Sequence, residues 1–293
     1  MKKRCSSTFF LPVALVITVV CCLFMTTGCM ERAPKALDSL DADTVDMSDR
    51  EKTNIDSLSQ LISQAPMPTA ADELFDDFFF NYAANIDVQK ARTIFPVVYE
   101  DNGLEINIEK KSDWKREPFF ITDGFYTIIC QTKSQMDLPG DTTVNEVVVQ
   151  RLSFPEDEVK EWKFQRIKGK WCMRTIEVKE LSETPDHEFL EFYNEFATDS
   201  LNQENYLAPY VTFTGPDPDE DFSTLEGDIM REQWPMFKPW LPQNVFFCIR
   251  YGKQNYHKSD KRYFLIRGIS NGIQTDLVFM RKGNKWELVK VEA

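Results

Sequence analysis

Few side chains in this sequence are placed to move a proton. Asp76 and Asp77 lie in "TAADELFDDFFFNYAA", and Glu191 and Glu195 in "TPDHEFLEFYNEFAT", two stretches whose aromatic residues recur at helical spacing. A carboxylate there serves as general acid or base only if it turns toward a pocket. These four fall mostly beside the aromatic stripe, which predicts solvated helix faces. His187 belongs to the first turn of the second helix and His257 to a loop, "KQNYHKSDK"; neither has a nucleophile motif nearby. Asp217, Asp219 and Asp221 alternate in "GPDPDEDF" as calcium ligands do, with Asp228 where a closing acid would stand. Phe222 occupies the place where such a loop needs glycine, and Pro218 stiffens its start. A solvated acidic loop is therefore expected and no metal is assigned. There is no Gly-rich phosphate loop, CxxC pair or GxSxG elbow, so neither a catalytic residue nor a cofactor is expected.

Trp114, Trp234 and Trp240 are the candidates for a ligand or partner surface. "EQWPMFKPWLP" gathers two Trp, Phe237 and three Pro into one short loop ahead of an apolar strand. At the mouth of a fold such residues line a pocket. The competing expectation is that they close a core.

The elements that would hold these residues follow from the rest of the chain. With 293 residues, 42% hydrophobic and 23 of them Phe, there is material for two domains with sizeable cores. The formal charge of −13 repels phosphate backbones, so nucleic acid is not an expected partner. Two histidines do not build a histidine-rich metal site. Residues 1–28 carry a basic cluster, then an apolar run from Phe9 to Met25, then "TTG" before Cys29. This stretch resembles a bacterial lipoprotein signal, although Thr26 stands where that family usually has Leu. The resemblance implies that Cys29 becomes the N-terminus and its thiol carries a diacylglyceryl group. Losing Lys2, Lys3 and Arg4 takes the formal charge from −13 to −16. Met30, rather than aspartate, favours the outer membrane, periplasmic or surface-facing. Residues 29–68 are acidic and polar and read as a tether, with a short helix predicted over 49–64. Cys130, Cys172 and Cys248 remain; buried free thiols are expected, a Cys130–Cys172 disulfide being the alternative.

From Thr69 onward the chain writes one pattern twice. Thr69 and Thr184 are predicted helix caps. Phe75, Phe78, Phe79 and Ala83 match Phe189, Phe192, Tyr193 and Ala197. Trp114, six residues before Phe120, matches Trp234, six before Trp240. "FYTIICQTK" matches "VFFCIRYGK", "VVVQR" from Val147 matches "YFLIR" from Tyr263, and "WKFQRIKGKW" matches "LVFMRKGNKW". The closing strands place Met173, Ile176, Leu288 and Val291 toward the cores, with Cys172 and Glu287 on the opposite face. No single pair is specific, but their common order over a hundred residues signals a tandem repeat.

Each copy, 69–180 and 184–293, predicts a long N-terminal helix packed on an antiparallel meander, an α+β arrangement. That layout resembles the nuclear transport factor 2-like (cystatin-like) fold, a curved sheet wrapped round a helix as a cone. With its leader, the chain resembles an uncharacterised lipoprotein group, domain of unknown function family 4348. The resemblance implies two tandem cones and supplies no catalytic residue. The expected function is a non-catalytic envelope module that binds a protein, a peptide or a small apolar ligand. The alternatives are an enzyme of hydrolase or isomerase type with its site in a cone pocket, or a structural spacer. A buried Asp facing a Tyr or His inside a cone would favour the enzyme.

Overall fold

The aromatic stripes fold as helices and bury the faces their spacing marks. The structure, a computed structural model, describes residues 69–217, 219–220, 223–252 and 259–293. The leader, Cys29, the tether and its expected helix, Asp221 and His257 lie outside the described residues. Helix α1 (Phe75–Ala84) buries Phe75, Phe78, Phe79 and Tyr82. It ends at Asn85, whose extended backbone breaks the helix and whose side-chain oxygen accepts from the Asp87 N–H at 2.8 Å, starting α2 (Ile86–Arg92). Thr69 is not its cap. A 3₁₀ turn over Thr69–Asp72 comes first, and Leu74 precedes α1 without a side-chain bond. In the second half α3 (His187–Thr198) buries Phe189, Tyr193 and Phe196. Here too the expected cap fails, because the Thr184 hydroxyl donates to the Leu181 carbonyl at 2.7 Å. Among the described residues, no helix is long and apolar enough to cross a membrane.

Among the described residues, twelve strands form a single sheet. In chain order they are β1 (Thr93–Asp101), β2 (Leu104–Glu105), β3 (Phe125–Cys130), β4 (Glu146–Ser153), β5 (Glu158–Ile167), β6 (Lys170–Glu180), β7 (Leu207–Pro216), β8 (Thr224–Met230), β9 (Val245–Tyr251), β10 (Lys261–Gly268), β11 (Gln274–Lys282) and β12 (Lys285–Glu292). The short helix α4 (Trp234–Phe237) interrupts the run between β8 and β9. Their spatial order is β2-β1-β6-β5-β4-β9-β3-β10-β11-β12-β7-β8. The β5–β6 hairpin turns on Lys168 and Gly169, both at positive φ (50° and 78°), and the β11–β12 hairpin on Gly283 at 63°.

At the centre of the sheet, β3 and β9 have changed places. If each half completed its own meander, the order there would be β4-β3-β9-β10. Instead β9 pairs antiparallel with β4, from Val147↔Tyr251 to Ser153↔Val245, and β3 pairs with β10, from Tyr263↔Cys130 to Gly268↔Phe125. Each exchanged strand is covered on both faces. Phe247, Ile249 and Tyr251 of β9 enter the core around α1, while its Phe246 and Cys248 enter the core around α3. Ile129 of β3 likewise belongs to the α3 core. A strand buried on both sides reads as a continuous apolar run, which explains "FYTIIC" and "VFFCI".

The two cores repeat local geometry. Phe75 meets Trp171 edge-on at 5.1 Å, and Phe189 meets Trp286 edge-on at 5.2 Å. Phe164 lies 5.3 Å from the Phe75 ring, and Phe279 lies 5.5 Å from that of Phe189. Met173, Ile176, Leu288 and Val291 are fully buried. The match of Val147 with Tyr263 is out by one residue. The pairings Val149↔Ile249 and Phe264↔Ile129 set Val149 opposite the counterpart of Phe264's partner. A one-residue slip moves a side chain to the other face, and Val149 and Phe264 are the two that face their cores. The three described cysteines are free: Cys130 and Cys248 are buried and Cys172 partly so, without the Cys130–Cys172 bond. Burial pushes the Cys130 thiol up to about 12 and the Cys248 thiol up to about 11.

Candidate functional site

Asp76 follows the first aromatic residue of α1, and its place beside the stripe predicts a solvated face. It is covered instead. The hydroxyl of Tyr126 on β3 donates to one carboxylate oxygen at 3.3 Å, and that of Tyr251 on β9 donates to the other. Burial pushes the Asp76 carboxyl above its ordinary 3.8; the two tyrosine bonds act in the opposite direction and the Asp77 charge adds to the rise. Tyr251 is fully buried, and burial raises its own hydroxyl well above the ordinary 10.0. This is a carboxylate held by two phenols, one from each half of the chain. Its counterpart in the second half is Leu190, so the group is not repeated.

The raised carboxyl has a signed consequence. Between its unfolded value and its folded one, the native state binds more protons, so Asp76 stabilises fully below about 3.8 and that contribution is lost as pH rises through the folded value. Unfolding free energy of the wild type minus that of Asp76→Asn is therefore expected to decline from pH 3.5 to pH 7, as read by denaturant titration at each pH. Every tenfold difference in proton affinity between the folded and unfolded chain is worth about 1.4 kcal/mol. A difference that is flat or rises with pH would sink this assignment.

The tryptophans divide. Trp114 and Trp234 are 4% and 1% exposed and belong to the cores, which corrects their candidacy for a binding surface. Each indole N–H is taken by a buried glutamine: Trp114 donates to Gln89 at 3.2 Å and Trp234 to Gln203 at 3.0 Å. A buried indole needs such a partner, and the sequence carried that signal in two glutamines at matching places. Trp240 is 57% exposed, its ring edge-on to Phe125 at 4.7 Å. It walls an open groove of about 490 Å³ with Ala197, Gln203, Lys238 and Gln243. Trp234→Ala is expected to cost about 3–5 kcal/mol and Trp240→Ala under about 1 kcal/mol, read from urea midpoints. Equal losses would contradict the division.

The other polar candidates are brought to no common site. Asp217 accepts from the Asp219 N–H at 2.9 Å in a turn of its own. No group of three or more metal-ligating side chains occurs among the described residues. The His187 ring lies against the Thr184 carbonyl at 3.2 Å, and Glu195 accepts from the Tyr206 hydroxyl at the surface. Glu161, which sequence reasoning passed over, is 3% exposed, bonded by Gln150 at 2.7 Å and neighboured by Lys179 at 3.2 Å and Arg250 at 3.4 Å. Opposite charges there offset the cost of burying it.

Residues 54–293 match the family described as Domain of unknown function (DUF4348). The chain belongs to that family. This DUF4348 chain is also similar to a crystal structure of an NTF2-like protein from Bacteroides fragilis, at 36% identity and a TM-score of 0.70, over 78% of this chain and 98% of that one. The fold of the DUF4348 chain is thus NTF2-like, a mixed α+β arrangement with one large sheet. No curated protein matches it.

Proposed function

We propose that this chain is a cell-envelope lipoprotein, anchored through Cys29, whose two halves are tandem copies of one NTF2-like unit and serve as a non-catalytic binding module. The observation that carries this reading is the filling of both cones. Around α1 the rings of Phe75, Phe79, Phe164 and Trp171 pack into one core, and around α3 those of Phe189, Phe196, Phe279 and Trp286 do the same. Space that would admit a substrate to the helix is occupied by side chains, while Trp240 and its groove face outward. The repeated Phe–Trp and Trp–Gln geometry supports the copies, and the sequence around Cys29 supports the anchor. Affinity capture of the intact chain from its own envelope is expected to enrich a defined partner or ligand; turnover of small esters or isomerisable ketones with nothing captured would overturn the reading. Palmitate labelling is expected in the wild type and absent in Cys29→Ala. Labelling that persists would remove the anchor.

One observation favours an enzyme instead. Asp76 with Tyr126 and Tyr251 is the kind of acid–phenol cluster that handles protons. Loss of a measured activity in Asp76→Asn, with folding retained, would put this second reading first.

A further inference from the structure

The two halves also differ at the C-terminal end of the central helix. In the first half the segment Glu117–Phe120 lies down over α1. Gln89, fully buried, holds its backbone from both sides: the Glu117 N–H donates to Gln89 Oε1 at 3.0 Å, and Gln89 Nε2 donates to the Glu117 carbonyl at 3.1 Å. Phe119 and Phe120 are thereby seated on Phe79, at 4.9 and 5.3 Å. In the second half the matching residues are Pro239 and Trp240, and the Trp240 ring packs on Phe125 at 4.7 Å rather than on an aromatic residue of α3. Gln203 receives the Trp234 indole and donates to the Phe196 carbonyl at 2.9 Å, with no bond to the 237–240 backbone. A glutamine amide has two donor hydrogens and two lone pairs. Gln203, 3% exposed and lining the groove, retains one of each.

We propose that the groove beside Trp240 takes a peptide segment from a partner protein, bearing adjacent aromatic residues and a nearby carboxylate, in the manner in which Phe119 and Phe120 fill the first half. This deepens the binding-module reading and rests on it. The first half supplies the template: an extended backbone clamped by the glutamine, with two rings beyond it. The volume of about 490 Å³ suits such a segment. Lys238 gives the carboxylate its place, since it lines the groove and has no ion-pair partner among the described residues. Trp240, at 57% exposure, supplies apolar contact with Pro239 and Leu241, which also line the groove.

The test uses a fluorescein-labelled peptide of this chain's own Glu117–Asp123 and the full-length chain, read by fluorescence polarisation. Saturable binding is expected, weakened about tenfold or more by Trp240→Ala and several-fold by Lys238→Glu. A peptide with Phe119→Ala and Phe120→Ala is expected not to bind. Because Trp240 is exposed, its variant keeps the fold; the indole N–H signal of Trp240 moving on titration of the wild type is the independent readout. Absence of saturable binding, binding that survives Trp240→Ala, or displacement by an N-acetylglucosamine oligomer in place of the peptide would each overturn the proposal. If envelope capture recovers the same partner with wild type and Trp240→Ala, the module stands and this site falls.

Discussion

Residues 69–180 expressed alone are expected to form no cooperatively folded monomer at micromolar concentration, whereas 69–293 is expected to unfold in one transition. The reason is the exchange of β3 and β9. Cut after residue 180, the first core loses Phe247, Ile249, Tyr251 and Leu265, and β4 loses every pairing from Val147 to Ser153 on one edge. Emptying a single buried large side chain costs about 2–5 kcal/mol, and a whole domain is stable by about 5–15 kcal/mol. Four such losses exceed what the half has to lose. Asp76 would also keep only one of its two phenols. Size-exclusion chromatography with light scattering, together with denaturant unfolding, decides it. A monomer with a sharp transition would mean that β3 closes on its own β4 and that the exchange matters little. A dimer that exchanges strands between copies would agree with the argument.

Arg262→Ala is expected to cost about 3–5 kcal/mol. The guanidinium holds Asp186 from Nε and Nη2, both at 2.9 Å, with the two side chains only 8% and 11% exposed. Its Nη1 also donates to the carbonyls of Ser259 and Lys261 at 2.7 and 2.9 Å, and the group lies 5.4 Å from the Trp286 ring centre. Removing it leaves a buried carboxylate beside α3 without a counter-charge, while Arg262→Met with Asp186→Leu removes both charges together. That double variant is expected to lose less than either single one, and a double-mutant cycle in urea measures the coupling. A single-variant loss under about 1 kcal/mol would show that water reaches the pair. In the first half, Asp72 stands at the matching place and is held differently, by both Nη atoms of Arg92 at 2.8 Å and by the Trp171 N–H.

Much of the architecture is legible in the sequence because its signals are local. The stripes Phe75–Phe78–Phe79–Tyr82 and Phe189–Tyr193–Phe196 are helical by spacing alone, and Trp171 and Trp286 sit in strands with clear alternation. The caps at Thr69 and Thr184 do not form because a helix start depends on how the preceding turn is tied down, which spacing does not encode. The partner of β4 is not legible either. "FYTIIC" and "VFFCIRY" are nearly interchangeable as strands, so nothing local states which of them lies beside β4. The burial of Asp76 is hidden for the same reason, because one of its covers is Tyr251, 175 residues away. Trp240 is exposed, whereas Trp114 and Trp234 are drawn inward by glutamines that lie 25 and 31 residues before them, a division the loop sequence alone does not state.

The crossed strands also set a timetable for making the protein. Ribosomes release the N-terminus first, at about 5–20 residues per second. β4 is complete at Ser153, but its neighbour β9 ends at Tyr251, roughly 100 residues later, so the edge waits on the order of 5–20 s for its partner. During that interval the Val147–Ser153 edge and the ring of Trp162, which stacks on Phe247 at 6.1 Å, have no cover from β9, and an uncovered strand edge is where chains stick to one another. Co-translational folding of one half and then the other is closed to this topology. Newborn chains must be kept apart until the last third has emerged, which makes holding factors, rather than intrinsic speed, the expected determinant of yield.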